Sequence, residues 1–281
     1  REWGVMPYGG TIFSNNPAIS KIGAALDEIN LPNTRFESAL RSLLLTDGDN
    51  GQIVPVDFRS LSVREFGTIY EGLLESELSV AEQNLAINRH GNYLPTNIDD
   101  KIEVLKGNIY LHDHSGARKS SGSFYTPDFA VEHLLDEALQ PALDDHLAKL
   151  AGLDNADRTE QFFDFQVADI AMGSGHFLVA AIDRIEKSFS MFLEKNPTPG
   201  VLRELHFLRQ IAEDKLKEYK LEETVSIENG QLLRRMIAKR CIYGVDLNSI
   251  TVQLANVSIW IHTFVPGLPL SLLDHNLVHG N

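Results

Sequence analysis

The most constraining feature of the chain is an apolar run that stops at an acid and a cluster of small residues, then restarts as an amphipathic helix. Phe165 to Asp169 reads as a buried strand and Ala171-Met172-Gly173-Ser174-Gly175 as a tight loop. His176 to Glu194 reads as a helix with Phe177, Leu178, Ala181, Ile185 and Phe189 on its inner face, stopped by Pro197 and Pro199. A strand that gives way to a helix across a glycine turn puts the chain in the α/β class. The continuation agrees. A second long helix is expected over 201–221, with Leu202, Leu205, Leu208 or Arg209, Ala212, Leu216 and Tyr219 near heptad spacing and packed on its own domain. A third helix covers 229–239, and Cys241–Val245 is a second strand ending at Asp246. Ile250 to Phe264 is helical, and Leu277-Val278 begins a third strand.

Upstream the pattern is mixed. Phe36, Leu40, Leu43 and Leu44 fit a helical face between loops at Asn15-Asn16-Pro17 and Asp47–Gly51. Ser62-Val63-Arg64-Glu65 has the form of a capping box, and Val63, Phe66, Ile69, Tyr70, Leu73 and Leu74 then recur with helical period. Small strands are expected at Leu85–Ile87, Ile102–Leu105 and Ile109–Leu111. Thr126 is expected to cap, and Pro127 to open, a helix with Val131, Leu134, Leu135 and Ala138 inward. Residues 150–163 read as a polar loop. The domain reading is a mainly helical region with a small β element over 1–115, then an α/β region over 116–281. No internal repeat or low-complexity tract interrupts it.

Composition narrows the function classes. The 281 residues carry 25 Lys+Arg against 39 Asp+Glu, a net charge of −14, so a broad polyanion-binding surface is not expected of this piece alone. The single cysteine, Cys241, excludes an internal disulfide and a thiolate zinc site, and fits a reducing compartment. No apolar run approaches the length of a membrane span. Arg1-Glu2-Trp3-Gly4 and Val278–Asn281 both read as cut ends, so the chain is expected to be a segment of a longer protein.

Small residues before a helix N-terminus let backbone N–H groups approach a ligand. Three ligand classes use that device. A phosphate loop needs Gly-Lys-Ser/Thr, which does not occur here. A dinucleotide fingerprint needs a third glycine where Leu178 stands, and an acid further on where Phe189 to Phe192 lie. S-adenosylmethionine has no phosphate. It calls for an acid before the glycines and another at the end of the next strand for the ribose hydroxyls, and Asp169 and Asp246 suit those roles.

In that order, the motifs resemble those of amino-directed DNA methyltransferases: type I modification subunits, type IIG restriction–modification enzymes and phage-exclusion methyltransferases. Asp169-Ile170-Ala171-Met172-Gly173-Ser174-Gly175-His176-Phe177-Leu178 is similar to their Asp-Pro-Ala-Cys-Gly-Ser-Gly-x-Phe-Leu motif, with Ile170 and Met172 replacing its Pro and Cys. Gly122–Pro127 resembles the upstream motif that closes over the methionine part of the cofactor. Ile242–Asn248, with Leu254-Ala255 and Trp260 beyond, resembles the second-strand motif, and Leu273–Asn281 the third, whose last residue faces the adenine. Asp57–Leu61 and Ile69–Glu75 resemble the helical region before the methylase core. The similarity covers most of residues 57–281. The long separation from Asp169 to Asp246 matches the larger type IIG-like members.

The resemblance implies an incomplete Rossmann-like methyltransferase sheet that binds S-adenosylmethionine through Tyr125, Thr126, Pro127, Asp169, Ala171, Gly173, Ser174, Gly175, Phe177, Asp246, Leu247 and Asn281. It implies a bacterial or archaeal cytoplasmic protein acting on double-stranded DNA, with a specificity or nuclease domain or subunit as possible partner and no membrane. The parent activity would be adenine-N6 methylation of a flipped base. Cytosine-N4 methylation and a non-catalytic binding module are the alternatives. No catalytic residue is assigned, because the family's Asn-Pro-Pro-Tyr/Phe motif would follow Asn281. Gly175→Leu is expected to block the ligand and spare the fold, and Asp246→Asn to weaken binding at little cost in stability; the alternative is that Asp246 caps the helix beginning near Asn248–Ile250.

Other residues receive plainer readings. His112-Asp113-His114 reads as a polar turn rather than a metal site, and no metal is expected. Arg118-Lys119, Arg234-Arg235 and Lys239-Arg240 read as solvated surface, His176 as a variable position without acid–base role, and Trp260 as core.

Overall fold

A computed structural model describes residues 14–18, 20–48, 51–56, 76–88, 93–96, 101–113, 126–220, 226–269, 273 and 275–281. The protein is mixed α/β. Contacts divide it into two compact units, one of residues 1–63 with 127–281 and one of residues 64–126. The boundaries differ from the division at 115/116 expected from sequence. The helix expected after Ser62, the Gly122–Tyr125 part of the upstream motif and the Arg118-Lys119 pair lie outside the described residues.

The described part of the 64–126 unit is strand. An antiparallel pair joins β3 (Ser76–Val80) to β6 (Ile109–Asp113), and a second joins β4 (Leu85–Ile87) to β5 (Tyr93–Pro95). The expected strand at Ile102–Leu105 is a single bridge between Val104 and Leu85. His112 is in a strand, not a polar turn: its Nε2 lies 2.9 Å from the Ser79 Oγ and its ring stacks on Tyr110. In the other unit, short helices at Lys21–Asp27 and Asn33–Leu44 precede an antiparallel pair, β1 (Leu45–Asp47) with β2 (Ile53–Pro55). Six short strands and two helices are described before residue 115.

The core of the larger unit lies wholly within residues 131–277. It is built on three parallel strands, β7 (Val167–Asp169), β8 (Ile242–Asp246) and β9 (Leu277–His279), in that spatial order. Val167 pairs with Ile242, and Gly244 with Leu277. Parallel neighbours need a crossover, and helices supply it. His176–Lys195, Pro199–Glu218 and Asn229–Arg240 separate β7 from β8, and Ser249–His262 separates β8 from β9. As an edge strand β7 is only half-buried, against the sequence expectation of a buried one.

Three local readings are corrected. The helix after Pro127 runs Asp128–Leu134, passes through a π-helical segment, Leu135–Leu139, and continues as Gln140–Ala151. Pro127 itself is the N-cap, its extended ψ of 146° ending the preceding chain, so Thr126 makes no cap. The wide turn spaces the inward residues by four, Val131, Leu135, Leu139 and Leu143, and leaves Leu134 and Ala138 outside. Residues 150–163 are not a loop. Asp154 accepts the N–H groups of Ala156 and Asp157 at 2.8 and 3.0 Å and so starts a helix over Asn155–Gln161.

Helix and sheet approach closely at Gly244. A Cβ there would strike the Met172 sulfur and come within 3.0 Å of Leu178 and Leu277. Dinucleotide-binding folds thin the helix with a glycine. Here the helix keeps Leu178, fully buried, and the strand is thinned instead.

Arginines tie the helices together. Arg184 meets Asp136 at 2.6 Å and Glu132 at 2.8 Å, and Arg209 holds the Ile227 carbonyl at 2.7 Å. Arg234 lies 3.2 Å from Asp183 and 3.5 Å from Glu186, Arg235 donates to the Pro269 carbonyl, and Arg240 pairs with Glu204. The arginines of the 229–240 helix are thus paired within the chain, Arg240 exposed as expected and Arg234 and Arg235 half-buried. Among the described residues, no helix is long and apolar enough to cross a membrane.

Gly244→Ala is expected to destabilise residues 1–281 by about 1–3 kcal/mol through overpacking. Met172→Ala in the same chain should recover part of that loss, as read by urea denaturation.

Candidate ligand site at the carboxyl ends of the parallel strands

Asp169 ends β7, and its Oδ1 accepts the Ala171 N–H at 3.0 Å, turning the chain out of the strand. The Met172 N–H reaches across to the Val245 carbonyl at 3.1 Å, and the Gly175 N–H returns to the Met172 carbonyl at 2.9 Å. Gly173 and Gly175 both take left-handed backbone, φ +53° and +83°. That conformation costs other residues about 1–2 kcal/mol. Gly175 is the N-cap of the His176–Lys195 helix, its carbonyl accepting the Val179 N–H at 2.9 Å.

The loop is fastened to the next strand end. Asp246 Oδ2 accepts the Gly173 N–H at 2.9 Å, and Oδ1 accepts the Asn248 N–H at 2.8 Å and faces the Thr251 Oγ1 at 2.7 Å. The third strand joins too: the Gly280 N–H donates to the Asp246 carbonyl at 3.0 Å, and the His279 Nε2 lies 2.9 Å from the Leu247 carbonyl. Beside them, Asp128 lies 3.5 Å from the His176 Nε2, which brings the helix after Pro127 to the loop.

The fold thus brings together Asp169, Ala171, Gly173, Ser174, Gly175, Asp246 and Leu247, with Asn281 directly beyond the Gly280 tie. Ser174 is buried, Phe177 is half-buried against the core, and Pro127 adjoins the Asp128–His176 contact. Thr126 precedes the helix N-cap, and Tyr125 lies outside the described residues. Apolar side chains follow both acids into solvent, Ile170 at 85% and Leu247 at 70% exposure. Sequence reasoning missed Thr251 and His279. A Thr five residues after the strand-end acid was the available signal for the first; nothing local marked the second.

Burial holds the Asp169 carboxyl above the ordinary carboxylate range; the Ala171 N–H opposes that shift and the nearby Asp246 charge adds to it. Cys241, directly before β8, is pushed up to about 12, chiefly by burial, so its thiol is not a nucleophile here. Among the described residues, no group of three or more His, Cys, Asp or Glu is placed to hold a metal ion.

Two expectations change with this geometry. A Cβ on Gly175 points at Ala255 of the Ser249–His262 helix, 3.2 Å away, whereas one on Gly173 meets nothing within 4 Å. Gly175→Leu would therefore attack the fold, and Gly173 is the position that opens outward. Asp246→Asn would place an amide where the carboxylate receives donors on both oxygens, so it too would cost stability.

Gly175→Ala should lower the melting temperature more than Gly173→Ala, because only the former adds a contact with Ala255 to the backbone strain. Asp169→Asn should raise it at pH 7. The folded state binds the Asp169 proton more tightly than the unfolded chain, so stability falls as pH climbs from the ordinary carboxylate range to the raised folded value. The gain from Asn should vanish below that range, as thermal melts across pH will show. Comparison of the chain with protein-family models, with curated proteins and with solved structures finds no match.

Proposed function

We propose that these strand ends bind S-adenosylmethionine, and that in the intact protein they form the cofactor half of a site-specific DNA adenine-N6 methyltransferase of restriction–modification or phage-defence type. The observation that carries the reading is the joining of Asp169, the Gly173–Gly175 loop and Asp246 at one end of a parallel sheet, fastened by the Gly173–Asp246 hydrogen bond. Open α/β sheets take ligands at that end.

The donor set suits the ligand. Two carboxylates beside one loop repel a pyrophosphate, and favour a phosphate-free ligand with hydroxyl donors and positive charge. Asp246 receives the ribose hydroxyls, Leu247 and Asn281 border the adenine, and Asp169 with the loop faces the methionine part. The resemblance assigns Pro127, Thr126 and Tyr125 to the motif that covers it. The bound cofactor supplies an activated methyl group on a sulfonium centre, so the residues here need only bind and orient. Holding the target amine calls for acceptors of the Asn-Pro-Pro-Tyr/Phe kind, and residues 1–281 contain no such tetrapeptide.

Calorimetry on residues 1–281 should give heat with S-adenosylmethionine and none with NADH, and Gly173→Ala should abolish the signal while the protein stays folded. Binding of NADH in place of S-adenosylmethionine would overturn the reading. The same chain should incorporate no labelled methyl into duplex DNA, and incorporation would overturn the division of labour.

A further inference from the structure

The methionine part of the proposed ligand carries an ammonium and a carboxylate. Asp169 suits the ammonium, and the carboxylate needs hydrogen-bond donors. Most backbone donors of the loop are already engaged. The Ala171 N–H goes to Asp169, the Met172 N–H to the Val245 carbonyl, the Gly173 N–H to Asp246 and the Gly175 N–H to the Met172 carbonyl. The turn and the two acids hold these groups, so they do not serve a ligand anion.

Ser174 stands apart from them. It is only 8% exposed, yet among the described residues neither its hydroxyl nor its N–H has a hydrogen-bond partner. Buried polar groups are ordinarily paired. The Ser174 Oγ is not sealed from solvent as the Ser258 Oγ is, so a ligand atom can reach it. Gly173 beside it opens outward.

Ser174 also directly precedes Gly175, the N-cap of the 20-residue helix His176–Lys195, and no side chain caps that helix. In its first turn the Phe177 N–H has no acceptor among the described residues, and Phe177 is half-buried. The amino end of such a helix carries a partial positive charge. Two separate observations thus call for an anion at one place: an unpartnered buried hydroxyl and an uncapped helix end.

We propose that Ser174 is the specificity residue for the α-carboxylate of the ligand. Its hydroxyl donates to a carboxylate oxygen, with the Phe177 N–H and the positive helix end behind it. The inference rests on the cofactor reading above. The amino-acid end of the ligand is then held as a zwitterion between opposite poles, the ammonium at Asp169 and the carboxylate at the helix end. A nucleoside without the carboxylate leaves the Ser174 hydroxyl unpartnered.

Decarboxylated S-adenosylmethionine, which lacks that carboxylate, is the comparison ligand. In calorimetric titrations of residues 1–281, wild type should bind S-adenosylmethionine more tightly than the decarboxylated compound. Ser174→Ala should weaken S-adenosylmethionine about tenfold and leave the decarboxylated compound within about twofold of wild type. A merely structural hydroxyl would weaken both alike. Ser174→Cys, near in size and a weak donor, supplies the same comparison if the Ala variant does not fold. Equal losses for the two ligands, no loss for S-adenosylmethionine, or wild type that does not prefer it, would overturn the role of Ser174 alone. Wild type that binds neither compound would overturn the cofactor reading, and this inference with it.

Discussion

A carboxylate drawn partly out of water needs donors, and Asp246 finds them in two separate stretches of chain. Its Oδ2 takes the Gly173 N–H of the loop after β7, and its Oδ1 takes the first turn after β8. Its own carbonyl accepts from Gly280 after β9. One residue thus sets the relative positions of all three strand ends. The left-handed glycines follow from it, since the loop must bend back far enough to present an N–H to the neighbouring strand. The exposed Ile170 and Leu247 follow as well, carried outward by turns that leave the sheet immediately after each acid.

The other constraint is thickness. The Ser249–His262 helix approaches the loop so closely that a Cβ on Gly175 would stand 3.2 Å from the Ala255 Cβ, and the Leu178 side chain enters the space that Gly244 leaves empty. Small residues on strand and loop let large residues on the helices stay large. Loop position, helix position and strand composition are therefore one packing solution, and a change in any of them is felt at the strand ends.

Much of this was legible in the chain. The three parallel strands and the helices between them followed from apolar runs ending at Asp169 and Asp246 and from the helical period after each. What escaped was decided by contacts distant in sequence. The half exposure of β7 depends on its place at the sheet edge, which no local pattern specifies. The π-helical turn at Leu135–Leu139 moved Leu139 inward and Ala138 outward, because a wide turn breaks the period that the sequence reading assumes. The helix at Asn155–Gln161 is polar on most of its surface and was read as a loop, although Asp154 was a legible cap. At the site, the acids and glycines were legible as types. Their mutual hydrogen bonds were not, so the ligand role given to Gly175 left out its packing against Ala255, and the capping role weighed for Asp246 left out its tie to the Gly173 N–H.

The arginine ties between helices bear on how a polyanion would meet this surface. Arg184, Arg209, Arg234, Arg235 and Arg240 are each committed to acceptors of their own chain, on a protein of net charge −14. Guanidinium groups so engaged give up those partners when they take phosphate contacts in their place. Encounter of this piece alone with a duplex is then opposed by the long-range field, and added salt speeds arrival by screening that repulsion, the reverse of ordinary nucleic-acid binding.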